Sequence, residues 1–326
     1  MTEQINVADI NVGVVGLGLM GSSIVAALLI AGHPVKAIAP LSDELAKAPN
    51  HIKSHLLQCE SAGLLQNPVE HYLNRLSVSG SYATLADCRL VLECVTERPD
   101  IKKEVYSNIV GAVAPDTIIA SNTSAIPISI LQTYVPGPER FLGIHWAEPA
   151  YMTRFLEITC GSATSVPLAE WAFELAHHWG KEPTLLKKDI RGFVTNRLMY
   201  AVYREGLTMA DKGIATIEDM DKAFRYDAGS WMTLMGVFRR MDFLGLDNLN
   251  VILNNILPQL SNVDNVPMAM QKMIELRAKG TQTSKGFYDY NGSEAKEWDD
   301  AFAEFNKEID KLAAQYPSVS NKVQYK

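Results

Sequence analysis

The stretch 11-NVGVVGLGLMGSSIVAALLIAG-32 decides the fold class. A short β-branched run, 11-NVGVV-15, reads as a buried strand. It leads at once into 16-GLGLMG-21, and the apolar segment after that reads as a helix ending at Gly32. G-x-G-x-x-G between a strand and a helix has a physical rationale. Gly16 makes the tight turn, Gly18 lets a pyrophosphate approach the backbone, and Gly21 lets the helix pack closely on the strand. Leu19 and Met20, at the head of the helix, offer free N–H groups to the anion. The loop therefore predicts a dinucleotide site.

Working outward, 35-VKAIA-39, 90-LVLECV-95, 117-TIIASN-122 and 141-FLGIHW-146 are further strand candidates, separated by helical or polar segments. This alternation predicts an α/β fold, a Rossmann-type parallel sheet with helices on its faces. A helical insertion is expected from about 41 to 75, broken by Pro49 and Pro68. After about 188 the strand signal fades, and 192–212, 216–226, 232–257 and 266–279 read as helices. The expected organisation is a dinucleotide-binding domain over 1–188 followed by an all-α C-terminal domain over 189–326.

Composition narrows the function classes. The 326 residues are 47% hydrophobic and 21% charged, with a net charge of −7, which argues against a general nucleic-acid binder. Cys59, Cys88, Cys94 and Cys160 form no C-x-x-C and have no metal-ligand spacing, so no metal is expected, and they suit a reducing compartment. The longest apolar run, 24-IVAALLIA-31, is far short of the ~18 residues a membrane span needs. With no signal-peptide pattern at the N-terminus, the chain reads as cytoplasmic.

One feature of the dinucleotide site is missing. An acid at the end of the second strand should hold the adenine ribose, about 20 residues after the loop. Ala39 stands there instead. Nearby Ser42 could bond a 2′-hydroxyl or a 2′-phosphate, whereas Asp43 and Glu44 would repel a phosphate if they face it. Either a later residue takes over from the acid, or the choice between NAD and NADP is relaxed; NAD is the expected cofactor.

Behind the glycine loop, 121-SNTSAI-126, 143-GIHW-146, 189-DIRGFVTNRL-198 and 283-TSKGFYDY-290 occur in that order. Over about residues 11 to 290 the chain thereby resembles the L-3-hydroxyacyl-CoA dehydrogenase family, including relatives such as L-gulonate 3-dehydrogenase and lambda-crystallin. The resemblance implies hydride transfer between NAD(P) and the C3 carbon of a 3-hydroxyacyl-CoA or related 3-hydroxy acid, and a homodimer formed through the helical domain. It implies that His145 is the general base and that Glu157, twelve residues on, orients it. Local chemistry agrees, because imidazole titrates near working pH and a carboxylate on its other nitrogen fixes the tautomer. The resemblance further places Ser124 and Asn196 at the substrate oxygen, and Asn122, Glu97 and Lys102 beside the cofactor. Plainer readings are a Ser/Asn turn for Ser124 and Asn122, a helix-start polar group for Asn196 and a solvated edge-strand acid for Glu157.

The chain also departs from the family pattern. Glu148 replaces an asparagine in 145-HWAEP-149, and Arg239 and Arg240 follow 236-GVF-238. The insertion 48–76, which in the family holds CoA, has only Lys53 and Arg75. CoA carries several phosphate charges, so the acyl-CoA substrate is the expectation these departures weaken. Arg154, Arg239 or Arg240 could instead meet a free carboxylate. Two rival readings are weaker. A 3-hydroxyisobutyrate/6-phosphogluconate-type enzyme needs a lysine that 192-GFVTNRL-198 lacks, and a catalytically silent crystallin-like protein would not need His145, Glu157, Ser124 and Asn196 together.

Overall fold

The computed structural model describes residues 5–316. The chain divides into two compact units between Val194 and Thr195.

Among the described residues the first unit carries eight strands: β1 (Val12–Val15), β2 (Val35–Ile38), β3 (Leu76–Ser79), β4 (Leu90–Glu93), β5 (Ile118–Ser121), β6 (Phe141–Trp146), β7 (Phe155–Cys160) and β8 (Glu182–Leu186). They form one sheet in the order β3-β2-β1-β4-β5-β6-β7-β8. Every neighbouring pair is parallel except β6–β7. The central strands are short apolar runs, as a sheet covered on both faces requires. The α-helices described in this unit are α1 (Leu19–Ala31), α2 (Ser42–Ser61), α3 (Val69–Leu73), α4 (Pro99–Ala112), α5 (Ile128–Leu131) and α6 (Val166–His178). Helix α1 is almost wholly buried and ends on Gly32, whose φ of 103° is a left-handed conformation that suits glycine.

The insertion differs from its sequence reading at one point. Pro49 does not break it; α2 runs straight through. The proline removes one backbone hydrogen bond, but Ala48, Ile52, Leu56 and Cys59 bury one face of the helix and hold it together. Pro68 does mark a break, standing just before α3.

The second unit is helical: α7 (Thr195–Asp211), α8 (Ile217–Ala223), α9 (Gly229–Met235), α10 (Val237–Leu244), α11 (Leu246–Ile256), α12 (Met268–Glu275) and α13 (Glu294–Gln315). The segment read as one helix over 232–257 is interrupted at Gly236 and Gly245, both with positive φ. Many large apolar side chains of this unit are exposed, among them Phe238, Phe243 and Met268. Among the described residues no helix is long and apolar enough to cross a membrane.

Candidate active site

The glycine loop is shaped by steric necessity. A Cβ on Gly21 would lie 1.8 Å from the Gly16 carbonyl oxygen, so only glycine lets α1 sit this close to the turn. Gly16 has a φ of 90° and donates its N–H to the Ile38 carbonyl at 2.9 Å, which ties the turn to the end of β2. Gly18 is different: a Cβ there would meet nothing within 4 Å. The space in front of the α1 N-terminus is open, and no side chain caps that helix. The first-turn N–H groups of Leu19 and Met20 therefore face a cradle that suits a pyrophosphate. The residues present fit a dinucleotide.

Just past the end of β2, Ala39 is 1% exposed and its side chain has no polar group to offer. Ser42 is exposed on the first turn of α2. Glu44 reaches back to the glycine loop, where its Oε1 accepts the Leu17 N–H at 2.6 Å. Burial pushes the Glu44 carboxyl above the usual carboxylate range, and the Leu17 N–H pulls it back.

Glu93, the last residue of β4, escaped the sequence reading. It is completely buried and takes four donors: Lys102 Nζ at 2.7 Å, Tyr106 Oη at 2.6 Å, Ser121 Oγ at 2.7 Å and the Val95 N–H at 2.8 Å. A buried carboxylate needs such partners. Lys102 is 1% exposed and also reaches Glu97 at 3.2 Å. It therefore bridges two acids rather than projecting toward solvent. Burial pushes the Glu97 carboxyl up, but the Thr123 hydroxyl, Lys102 and the Ala125 N–H together bring it below the usual range. The signal for Glu93 was an acid ending an otherwise apolar strand, 90-LVLE-93.

Asn122 Oδ1 accepts the Trp146 N–H at 2.9 Å, which links the end of β5 to the residue after His145. Ser124 lies two residues further along the same loop and is exposed. Asn196 is the second residue of α7, in the second unit, and is partly buried.

His145 and Glu157 stand directly opposite each other in the antiparallel β6–β7 pair. Nδ1 of His145 lies 2.9 Å from Oε2 of Glu157. The His145 side chain is 13% exposed and the Glu157 side chain 1%. The Val194 N–H donates to Oε1 of Glu157 at 3.1 Å. Phe155 and Phe193 flank the imidazole, with ring centroids 5.4 Å and 5.7 Å away. Among the described residues Nε2 has no hydrogen-bond partner. The arrangement can therefore take a proton at Nε2 while a buried carboxylate holds Nδ1.

The loop after His145 is fixed from two sides. Lys181, buried, donates to the Ala150 and Thr153 carbonyls and lies over the Trp146 ring. Tyr151 lies between α2 residues, its hydroxyl 2.6 Å from Gln58 Oε1 and 3.2 Å from His55 Nδ1. Burial pushes the Glu148 carboxyl above its usual range. Arg154 pairs with Glu182 at 2.5 Å, and Arg240 lies over Trp231 at 4.4 Å from the ring centre. Arg239 is carried on α10 beside it.

Residues 11–190 match the model of the 3-hydroxyacyl-CoA dehydrogenase NAD-binding domain, and residues 192–290 match that of the C-terminal domain. The chain belongs to the 3-hydroxyacyl-CoA dehydrogenase family. It is an oxidoreductase of the kind that acts on CH–OH groups. This dehydrogenase is 34% identical over 208 residues to the 5-formyl-3-hydroxy-2-methylpyridine 4-carboxylate 5-dehydrogenase of Mesorhizobium japonicum, covering 64% of this chain and 67% of that one. It is 30% identical over 222 residues to a 3-hydroxybutyryl-CoA dehydrogenase of Bradyrhizobium diazoefficiens, covering 68% and 74%. The crystal structure of a 5-formyl-3-hydroxy-2-methylpyridine 4-carboxylic acid 5-dehydrogenase, described as an NAD+-dependent dismutase, superposes with a TM-score of 0.86 at 26% identity, covering 93% of this chain and 98% of that one.

Proposed function

We propose that this dehydrogenase moves a hydride between NAD and the C3 carbon of a 3-hydroxy acid, free or as a CoA thioester, with His145 as general base. The observation that carries the reading is the 2.9 Å contact from His145 Nδ1 to the buried Glu157 carboxylate, which leaves Nε2 for the substrate hydroxyl. In oxidation Nε2 takes the hydroxyl proton as the C3 hydride departs, and Glu157 stabilises the imidazolium that forms. Bound NAD supplies the hydride acceptor. Ser124 and Asn196 contact the substrate oxygen. Asn122, Glu97 and Lys102 serve the nicotinamide side, with Lys102 acting by holding Glu97.

A second reading, a small free acid rather than a thioester, is favoured by the insertion. Arg75 donates to the Gly32 carbonyl at 2.6 Å, and Lys53 lies 3.9 Å from Glu70. Lys53 and Arg75 are the only Lys or Arg in 48–76, so the insertion offers the phosphates of CoA few charged partners. The likeness to a pyridine-carboxylate dehydrogenase over nearly the whole chain points the same way. NADH oxidation with acetoacetyl-CoA, free acetoacetate and a formylpyridine carboxylate separates the cases. Turnover of the thioester alone would restore the CoA reading, and turnover of none would overturn the proposed chemistry.

The exposed apolar side chains of the second unit, among them Phe238, Phe243, Leu246 and Val251, support a homodimer formed through that unit. Four unpaired cysteines support a reducing, cytoplasmic location.

A further inference from the structure

We propose that Glu44, on the first turn of α2, is the carboxylate that reads the adenine ribose and makes this enzyme prefer NAD over NADP. The inference rests on the dinucleotide reading of the glycine loop and deepens it.

The residue at the expected position is Ala39, which is buried and has no polar side-chain atom. The neighbouring acids differ in placement. Asp43 is exposed at the head of α2, where an acid ordinarily serves the helix dipole. Glu44 is part-buried and turns away from its own helix. Its Oε1 lies 2.6 Å from the N of Leu17, the residue between Gly16 and Gly18. The Gly16 turn is itself bonded to the end of β2 through Ile38. The carboxylate therefore stands where the end of β2 meets the open cradle at Gly18. A dinucleotide whose pyrophosphate sits at Gly18 has its adenine ribose beside the end of β2. Among the described residues no donor is assigned to Glu44 Oε2. It is suited to accept a 2′-hydroxyl, and its charge opposes a 2′-phosphate. The acid has moved from the end of the strand to the following helix, five positions along the chain.

A bland alternative is that Glu44 only steadies the loop through Leu17. Glu44→Gln distinguishes the two, because an amide oxygen still accepts the Leu17 N–H while the charge is gone. Binding is read by fluorescence titration with NADH, NADPH and 2′-deoxy-NADH, with no substrate present. The wild type is expected to bind NADH at least about tenfold more tightly than NADPH, and to lose about tenfold or more on removal of the 2′-hydroxyl. Glu44→Gln is expected to abolish both differences, while Asp43→Asn keeps them. An unchanged NADH-to-NADPH ratio in Glu44→Gln, or its collapse in Asp43→Asn, would overturn the assignment. So would a wild type indifferent to the 2′-hydroxyl, a test that holds even if Glu44→Gln fails to fold. Wild-type protein that binds neither dinucleotide would remove the glycine-loop reading itself, and the assignment with it.

Discussion

Glu157 divides its two oxygens between His145 and the end of the first unit: Oε2 meets His145 Nδ1 at 2.9 Å, and Oε1 accepts the Val194 N–H at 3.1 Å. The carboxylate is 1% exposed, so both bonds form away from water, where a lost partner is felt strongly. Glu157→Gln keeps the shape and removes the charge. It is expected to lower kcat by about tenfold to a hundredfold, the scale of one charge-assisted hydrogen bond, and to move the pH–rate profile. A kcat and profile equal to wild type would separate Glu157 from the chemistry.

Two glycines of one loop should respond differently to the same added methyl group. Gly18→Ala meets open space, so the fold should melt as the wild type does while NADH binding weakens. Gly21→Ala meets the Gly16 carbonyl oxygen at 1.8 Å, which backbone cannot easily yield, so both stability and binding should fall. Thermal melts and NADH titrations on the two variants check this. Equal stability in both would show that the loop relaxes freely.

The buried Lys102–Glu93 pair predicts an asymmetric effect. Lys102→Met removes the cation from a carboxylate with no access to water, and should cost about 3–5 kcal/mol of unfolding free energy. Lys102→Met combined with Glu93→Gln should recover part of that loss. Urea unfolding gives both numbers. A loss below about 1 kcal/mol in the single variant would mean that Tyr106, Ser121 and the Val95 N–H suffice for Glu93.

His33 predicts how stability depends on pH. Its Nδ1 lies 2.9 Å from the Ile10 carbonyl, and its Nε2 accepts the Trp179 Nε1–H at 2.8 Å, so the folded form is neutral. Burial, with His178 adding to it, holds its pKa below the ordinary value. The unfolded chain takes up a proton near pH 6.5 that the folded chain refuses, so stability falls as pH drops below that point. The slope from this group is at most about 1.4 kcal/mol per pH unit. His33→Gln keeps a donor and an acceptor and should flatten the fall between pH 7.5 and 5.5. An unchanged slope in urea midpoints would exclude His33 as its source.

The sequence revealed most where geometry leaves few choices. The spacing of Gly16, Gly18 and Gly21 marks a strand–turn–helix, because close approach at Gly21 tolerates no side chain. Strand β6 was visible as an apolar run, but β3 and β8 were not. Leu76–Ser79 carries two serines, and Glu182–Leu186 contains a proline and a polar outer face, so neither reads as a buried strand. Helix α13 was missed too, since charge dominates its polar face. Two short extended segments, 141–146 and 154–159, joined by a turn with Pro149 let His145 and Glu157 meet, but the register that sets them directly opposite each other belongs to the β6–β7 ladder and is not written in the spacing. Glu44 was seen as a charge near the ribose, but its bond to Leu17 depends on the angle at which α2 leaves β2.

The most direct test of the account is NADH oxidation by wild type and His145→Gln across acetoacetyl-CoA, acetoacetate and a formylpyridine carboxylate, with NADH binding measured alongside. The account predicts turnover of at least one of these by the wild type. In His145→Gln that turnover should fall by about a hundredfold or more with NADH affinity kept, the scale of a lost general base. Turnover in His145→Gln equal to wild type, or a wild type that binds NADH and reduces none of the three, would contradict it.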